Sequence, residues 1–196
     1  TTDTRPKLTG SNFSAAGKTY TLFGMAKGAA MIGPRMATML GIILTDAPVA
    51  PADAQRLLGE ITEYTFNCVS VDGHTSTNDT VLLLANGAAG GQSLSGSSLD
   101  SFSAALSHAC EALAHEIADD GEGATHVLRI EVTGCQTRET ARQIARTIAD
   151  SPLVKTAIAG ADPNWGRIVS AAGYSGVMFE PDKLSLRING TLLFCA

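Results

Sequence analysis

Leu99, Phe102, Leu106, Cys110, Leu113 and Ile117 recur at steps of three and four residues, which predicts a long helix with one apolar stripe. Such a stripe has to be buried against another element, so the rest of the chain must supply a surface for it. Two apolar runs qualify. Thr38-Met39-Leu40-Gly41-Ile42-Ile43-Leu44 has the apolar and β-branched character of a buried strand. Val81-Leu82-Leu83-Leu84-Ala85 reads as a second strand, fed by the polar loop His74–Thr80. Ahead of both, residues 11–24 alternate around a Gly17-Lys18 turn and predict a hairpin ending in Thr19-Tyr20-Thr21-Leu22-Phe23. A glycine-rich segment from Gly24 to Gly33 follows.

Pro48 and Pro51 break the chain after the first apolar run. Ala52 or Asp53 then caps a helix whose stripe is Ala54, Leu57, Leu58, Ile61, Thr65 and Cys68. Gly87–Ser98 reads as an exposed Gly/Ser connection. His126–Thr133 alternates like a strand, and Thr137–Ala149 predicts a helix with Ala141, Ile144, Ala145 and Ile148 inward. Leu184–Ile188 and Thr191–Phe194 form a last hairpin around Asn189-Gly190, a strong turn signal. Strands and helices alternate, but hairpins occur too. The fold class expected is therefore α+β, as a layered sandwich rather than a doubly wound sheet. No internal repeat and no long linker divides the chain.

Composition narrows the functions. A net charge of -5 offers no basic stripe for nucleic acid. No run approaches the roughly 18 apolar residues that span a bilayer, and the opening Thr1-Thr2-Asp3-Thr4-Arg5-Pro6 lacks a signal-peptide core. Cys68, Cys110, Cys135 and Cys195 are scattered without CxxC spacing, which points to reduced thiols in a cytoplasmic protein and away from zinc. Gly87-Ala88-Ala89-Gly90-Gly91 lacks the GK[ST] ending of a phosphate loop.

His74, His108, His115 and His126 form no visible triad with a serine and an acid, and His108 and His115 fall on the surface of the long helix. Chemistry without histidine is available to a threonine at a new chain end. If the Ala37–Thr38 bond is cut, Thr38 gains an α-amine of pKa roughly 7.7–8.0, which can act as base for its own Oγ. The hydroxyl can make that cut itself by attacking the Ala37 carbonyl, shifting the peptide to an ester that water hydrolyses. Gly33-Pro34 upstream and the small Ala37 are compatible with the bend this demands.

At these residues the chain resembles the glutamate N-acetyltransferase/ornithine acetyltransferase family of arginine biosynthesis. Lys27-Gly28-Ala29-Ala30-Met31-Ile32-Gly33-Pro34-Arg35-Met36-Ala37-Thr38-Met39-Leu40 resembles its processing motif. Asp72-Gly73-His74-Thr75-Ser76-Thr77-Asn78-Asp79-Thr80-Val81, Asp120-Gly121-Glu122-Gly123-Ala124-Thr125 and Thr1-Thr2-Asp3-Thr4 are similar to three further signatures. A fifth runs from Ser151-Pro152-Leu153-Val154-Lys155-Thr156-Ala157 through Asp162-Pro163-Asn164-Trp165-Gly166-Arg167.

The resemblance implies a layered αββα sandwich of the DmpA/ornithine-acetyltransferase kind. It implies a precursor split at Ala37–Thr38, with residues 1–37 ending the α chain and residues 38–196 belonging to the β chain. Thr38 is then the catalytic acetyl acceptor in a ping-pong transfer from N-acetylornithine to glutamate, releasing ornithine. Lys27, Thr38 and Glu122 match family substrate-binding positions, and the first motif supplies another at Thr1 or Thr2. A lysine at 27 can hold an α-carboxylate, and Glu122 can face the ammonium of ornithine. Asn78, Asp79, Asp162 and Asn164 fit loop bracing as well as substrate contact. No metal or organic cofactor is implied; acetyl-CoA stands open as a second acetyl donor. The expected partners are the N-terminal part of the precursor and an α2β2 heterotetramer, with neither nucleic acid nor membrane. Family members are about twice as long. Their N-terminal part carries a Thr-Gly oxyanion hole, a device worth about 3–4 kcal/mol of barrier, and their C-terminal segment carries Asn and Ser/Thr contacts. Two alternatives stand beside this reading: a self-processing aminopeptidase of the same fold, whose new N-terminus is typically serine, and a non-catalytic structural fragment.

Overall fold

The computed structural model describes residues 2–33, 39–74 and 78–195. Thr1, Ala37 and Thr38, named above as site residues, lie outside the described residues, as does the start of the first apolar run. The chain forms two compact units, Thr1–Ala124 and Thr125–Ala196. This division is of packing; the expected boundary at Ala37–Thr38 is of processing.

In the first unit, β1 (Lys7–Ala15) and β2 (Lys18–Lys27) make the expected hairpin with longer arms. Its turn is Ala16-Gly17, one residue earlier than the Gly17-Lys18 expected. Both residues have positive φ (50° and 72°), which gives the twist that two-residue hairpins require. Gly24–Lys27 is strand rather than glycine-rich loop. β3 (Leu40–Thr45) pairs antiparallel with β2, and β4 (Thr80–Ala85) pairs parallel with β3, so the sheet order is β1-β2-β3-β4. A parallel neighbour needs a crossover. That crossover contains α1 (Pro51–Tyr64) and a 3-10 turn at Phe66–Cys68, which takes Cys68 off the helix. α1 starts at Pro51 behind Ala50, with no side-chain cap. Proline at the first helical position has φ preset and no amide to satisfy, so the expected cap at Ala52 or Asp53 is not needed.

The long helix, α2 (Ser97–Asp119), buries Phe102, Leu106, Cys110, Leu113 and Ile117 in one core with Phe13, Ala15, Tyr20, Leu22 and Ile43 of the sheet. Each Phe, Leu or Ile among them contributes about 1.5–3 kcal/mol when fully buried. The Phe13 ring lies 5.4 Å from Tyr20 and 5.7 Å from Phe102. At Gly24 the sheet approaches α2 so nearly that a Cβ would meet Leu113 Cδ1 at 2.9 Å. Leu57 and Ile61 of α1 join the same core. The Gly/Ser connection is better anchored than expected: Leu94 is buried and its N–H donates to the Pro48 carbonyl, and Ser97 and Ser98 already belong to α2.

Strand alternation sends the other set of side chains to the opposite sheet face. Leu8, Phe23, Leu40, Leu44, Leu82 and Leu84 stand there, each between 36% and 57% exposed. The first unit thus consists of one helical layer on one sheet, with an apolar outer sheet face.

The second unit holds α3 (Arg138–Asp150), α4 (Pro152–Ala159) and α5 (Trp165–Gly173), followed by β5 (Ser185–Ile188) and β6 (Thr191–Cys195). Ile144, Ile148, Val154, Ala171 and Ala172 form its core. Thr137 caps α3 by accepting from Thr140 N–H at 3.2 Å. Asn189 and Gly190 form the expected turn, with φ of 48° and 81°. The strand expected at His126–Thr133 is not formed: the described residues give it no ladder partner. Ile130 and Val132 keep the alternation by packing on the core. The helices α4 and α5 were not anticipated. Among the described residues no helix is long and apolar enough to cross a membrane.

Candidate functional site

Two segments that carry expected site residues are hydrogen-bonded to one stretch, Lys27–Ala29, at the end of β2, and a third lies within electrostatic reach of it. The first is the opening segment. Asp3 Oδ1 accepts from Gly28 N–H at 2.7 Å and from Lys7 Nζ at 2.5 Å. The second is the turn after α2, where Glu122 N–H donates to the Ala29 carbonyl at 2.6 Å. Gly121, just before it, has room for little more than hydrogen: a Cβ would lie 3.1 Å from Val71 Cγ1 and 3.2 Å from the Ala118 carbonyl. The third is the loop before β4. Burial holds the Asp79 carboxyl above its ordinary value, against Met39 N–H and the charge of Lys27, which act to lower it.

Asp79 also borders the expected nucleophile. Its Oδ1 accepts from Met39 N–H at 2.6 Å, and Met39 follows Thr38 in the chain. Asp79 Oδ2 is buried with no hydrogen-bond partner among the described residues. Asp72 clamps the other side of the processing motif, accepting from Met31 N–H at 2.7 Å, Ile32 N–H at 3.1 Å and His74 N–H at 3.0 Å. Burial acts to raise the Asp72 carboxyl, but the N–H groups of His74 and Met31, the His74 charge and Ile32 N–H hold it below its ordinary value. Gly33 is pressed against this loop; a Cβ would come within 2.6 Å of the Gly73 carbonyl carbon.

Lys27 is half-buried and lines an open cleft of about 420 Å³ with Asp3, Thr4, Arg5, Pro6 and Ala26. Thr2 and Glu122 are exposed. Asp162 and Asn164 are bonded to each other between α4 and α5 in the second unit, with Asn164 N–H donating to the Asp162 carbonyl at 2.7 Å and Asn164 Nδ2 to Asp162 Oδ2 at 3.3 Å. His108 and His115 are exposed, as expected. Among the described residues no cluster of His, Cys, Asp or Glu could hold a metal ion, and none of the four cysteines is in a disulfide.

Reasoning from sequence missed Lys7 and Asp120. Lys7 Nζ lies 2.5 Å from Asp120 Oδ2, and Thr4 donates to the same carboxylate from its N–H at 3.0 Å and from its hydroxyl. Lys7 and Thr4 hold the Asp120 carboxyl down to about 2. A lysine amid a strand's alternating pattern was the available signal, since a buried lysine requires a carboxylate partner.

The ArgJ family model matches residues 1–196. The Arginine biosynthesis bifunctional protein ArgJ of Bradyrhizobium diazoefficiens is 50% identical over 196 residues, covering 97% of this chain and 48% of that protein. The protein of that name from Rhodopirellula baltica is 46% identical, covering 99% and 48%. The mitochondrial one of Aspergillus oryzae is 51% identical, covering 89% and 40%. A crystal structure of Arginine biosynthesis bifunctional protein argJ from Bacillus halodurans superposes with a TM-score of 0.76 at 44% identity, covering 79% of this chain and 74% of that one. This chain spans about half the length of the curated relatives it matches.

Proposed function

Because the chain belongs to the ArgJ family, we propose that it carries the nucleophile of an acetyltransferase acting in arginine biosynthesis within a protein of its relatives' length. The precursor cleaves itself between Ala37 and Thr38, and Thr38 becomes a chain end. Its α-amine takes the Oγ proton as Oγ attacks the acetyl carbonyl of N-acetylornithine. The amide C–N bond breaks, the proton passes to the departing nitrogen, and ornithine leaves an acetyl ester on Thr38. The α-amine of glutamate then attacks the ester. N-acetylglutamate departs, and the proton returns to Thr38 Oγ.

Lys27 holds the α-carboxylate common to both amino acids, Glu122 faces the side-chain ammonium of ornithine, and Thr1 or Thr2 adds a polar contact. The observation that supports this assignment is the convergence on Lys27–Ala29: Asp3 beside Thr2 reaches Gly28, Glu122 reaches Ala29, and Lys27 acts on the carboxylate that holds Met39. No metal or organic cofactor enters the reaction. The relatives' name, bifunctional, favours a second acetyl donor, and acetyl-CoA is the one we propose. Four cysteines outside any disulfide favour the cytoplasm; the Aspergillus oryzae relative is named as mitochondrial.

The outer sheet face supports a partner. Six large apolar side chains stand open on it, a surface of the kind that marks an interaction site. We assign it to the rest of the whole protein, whose N-terminal part would complete the sandwich, with an α2β2 heterotetramer as the assembly.

The test is to incubate the full-length protein with N-acetylornithine and analyse it by mass spectrometry. An acetyl increment on the fragment beginning at Thr38, lost when glutamate is added as N-acetylglutamate forms, is the expected result. Sustained turnover with no acetylated fragment at any time would overturn the ping-pong reading.

A further inference from the structure

Lys7 has a fully buried side chain, on the sheet face turned toward α2, and Asp120 is 3% exposed at the end of that helix. Burying such charges costs several kcal/mol per ion, and an apolar pair of equal volume stabilises a fold as well or better. Stability alone therefore gives no reason for the pair.

Its connections do. Lys7 bridges Asp3 and Asp120 through one ammonium, at 2.5 Å to each. Asp3 passes the link to Gly28 N–H, next to Lys27. Asp120 lies two residues before Glu122, whose own N–H is bound to the Ala29 carbonyl. Thr4, with two donors on Asp120, draws the opening segment onto the same point. The opening segment, the end of β2 and the turn after α2 are thus locked together by a single ammonium and two carboxylates.

We infer that Lys7, Asp3 and Asp120 are positioning residues, a buried charge bridge that sets the spacing of the substrate-holding segments around Lys27 and Glu122. It rests on the reading above that Lys27 and Glu122 contact substrate. The bridge touches no reacting atom. It fixes where the carboxylate-holding and ammonium-holding groups stand relative to each other, so it acts on binding of both amino acids more than on the acetyl-transfer step. An ammonium between two carboxylates suits that task because its partners cannot drift without exposing an unpaired buried charge.

The experiment uses the full-length protein, with Lys7→Met/Asp120→Asn removing the Lys7–Asp120 ion pair, Thr4→Val trimming one donor at an exposed position, and Lys27→Ala as reference. KM and kcat are measured for N-acetylornithine and glutamate, with circular dichroism and fragment masses confirming folding and cleavage. Expected is a KM increase of roughly tenfold for both substrates in the double variant, with kcat within about threefold of wild type, and a smaller KM increase in Thr4→Val. Unchanged KM in a folded double variant, or unchanged KM in Thr4→Val if the double variant does not fold, would overturn the inference. If Lys27→Ala also leaves KM unchanged, the assignment of the substrate site has failed. If Lys27→Ala raises KM and the bridge variants do not, only the positioning role has.

Discussion

At the scale of single residues, Asp120 has the clearest electrostatic signature. Its carboxyl is held at about 2 by Lys7 and Thr4, whereas an unfolded chain would have it near 3.9. The folded value is the lower one, so the Asp120 interactions stabilise the fold fully above about pH 4. That contribution is lost as pH falls from about 4 toward 2. The urea-unfolding difference between wild type and Asp120→Asn should therefore be constant near neutrality and shrink across that acid range. A difference that stays constant down to pH 2 would contradict the assignment. Neither Lys7 nor Asp120 was legible as a pair, because 113 positions separate them. Lys27 and Glu122 could be named only through family resemblance; in isolation each looks like an ordinary solvated charge.

At the scale of elements, what could be read was what is decided locally. Asn189-Gly190 marks its hairpin because only residues at ease with positive φ close a two-residue turn with the right twist. The stripe from Phe102 to Ile117 marks α2 because periodicity and burial coincide there. His126–Thr133 shows the limit: alternation reports which side chains are buried, but a strand also needs a neighbour far away in sequence. The start of α4 was locally encoded and passed over, with Ser151 at the cap and Pro152 at the first position. Local capping also gives a prediction. Thr137→Ala removes the acceptor for Thr140 N–H and should lower stability by about 1 kcal/mol, read as a shifted urea midpoint with unchanged slope. No shift would mean that solvent replaces the cap at no cost.

At the scale of the whole molecule, the outer sheet face connects fold to function. A lone two-layer unit has no use for Leu82 and Leu84, 49% and 51% exposed, beside Leu8, Phe23, Leu40 and Leu44. Leu84→Asp should leave the helix-packed core intact, since the side chain lies outside it, and should loosen the contact between this face and the N-terminal part of the full-length protein. Faster limited proteolysis of that N-terminal part in the variant reads the effect, and an unchanged rate would assign the face elsewhere. The central claim is that Thr38 becomes a chain end. It is tested most directly by the intact mass of freshly purified full-length protein, wild type beside Thr38→Ala. The account predicts two fragments dividing at Ala37–Thr38 in wild type and one unbroken, inactive chain in the variant. A single unbroken mass in a wild type that still transfers acetyl groups would contradict it.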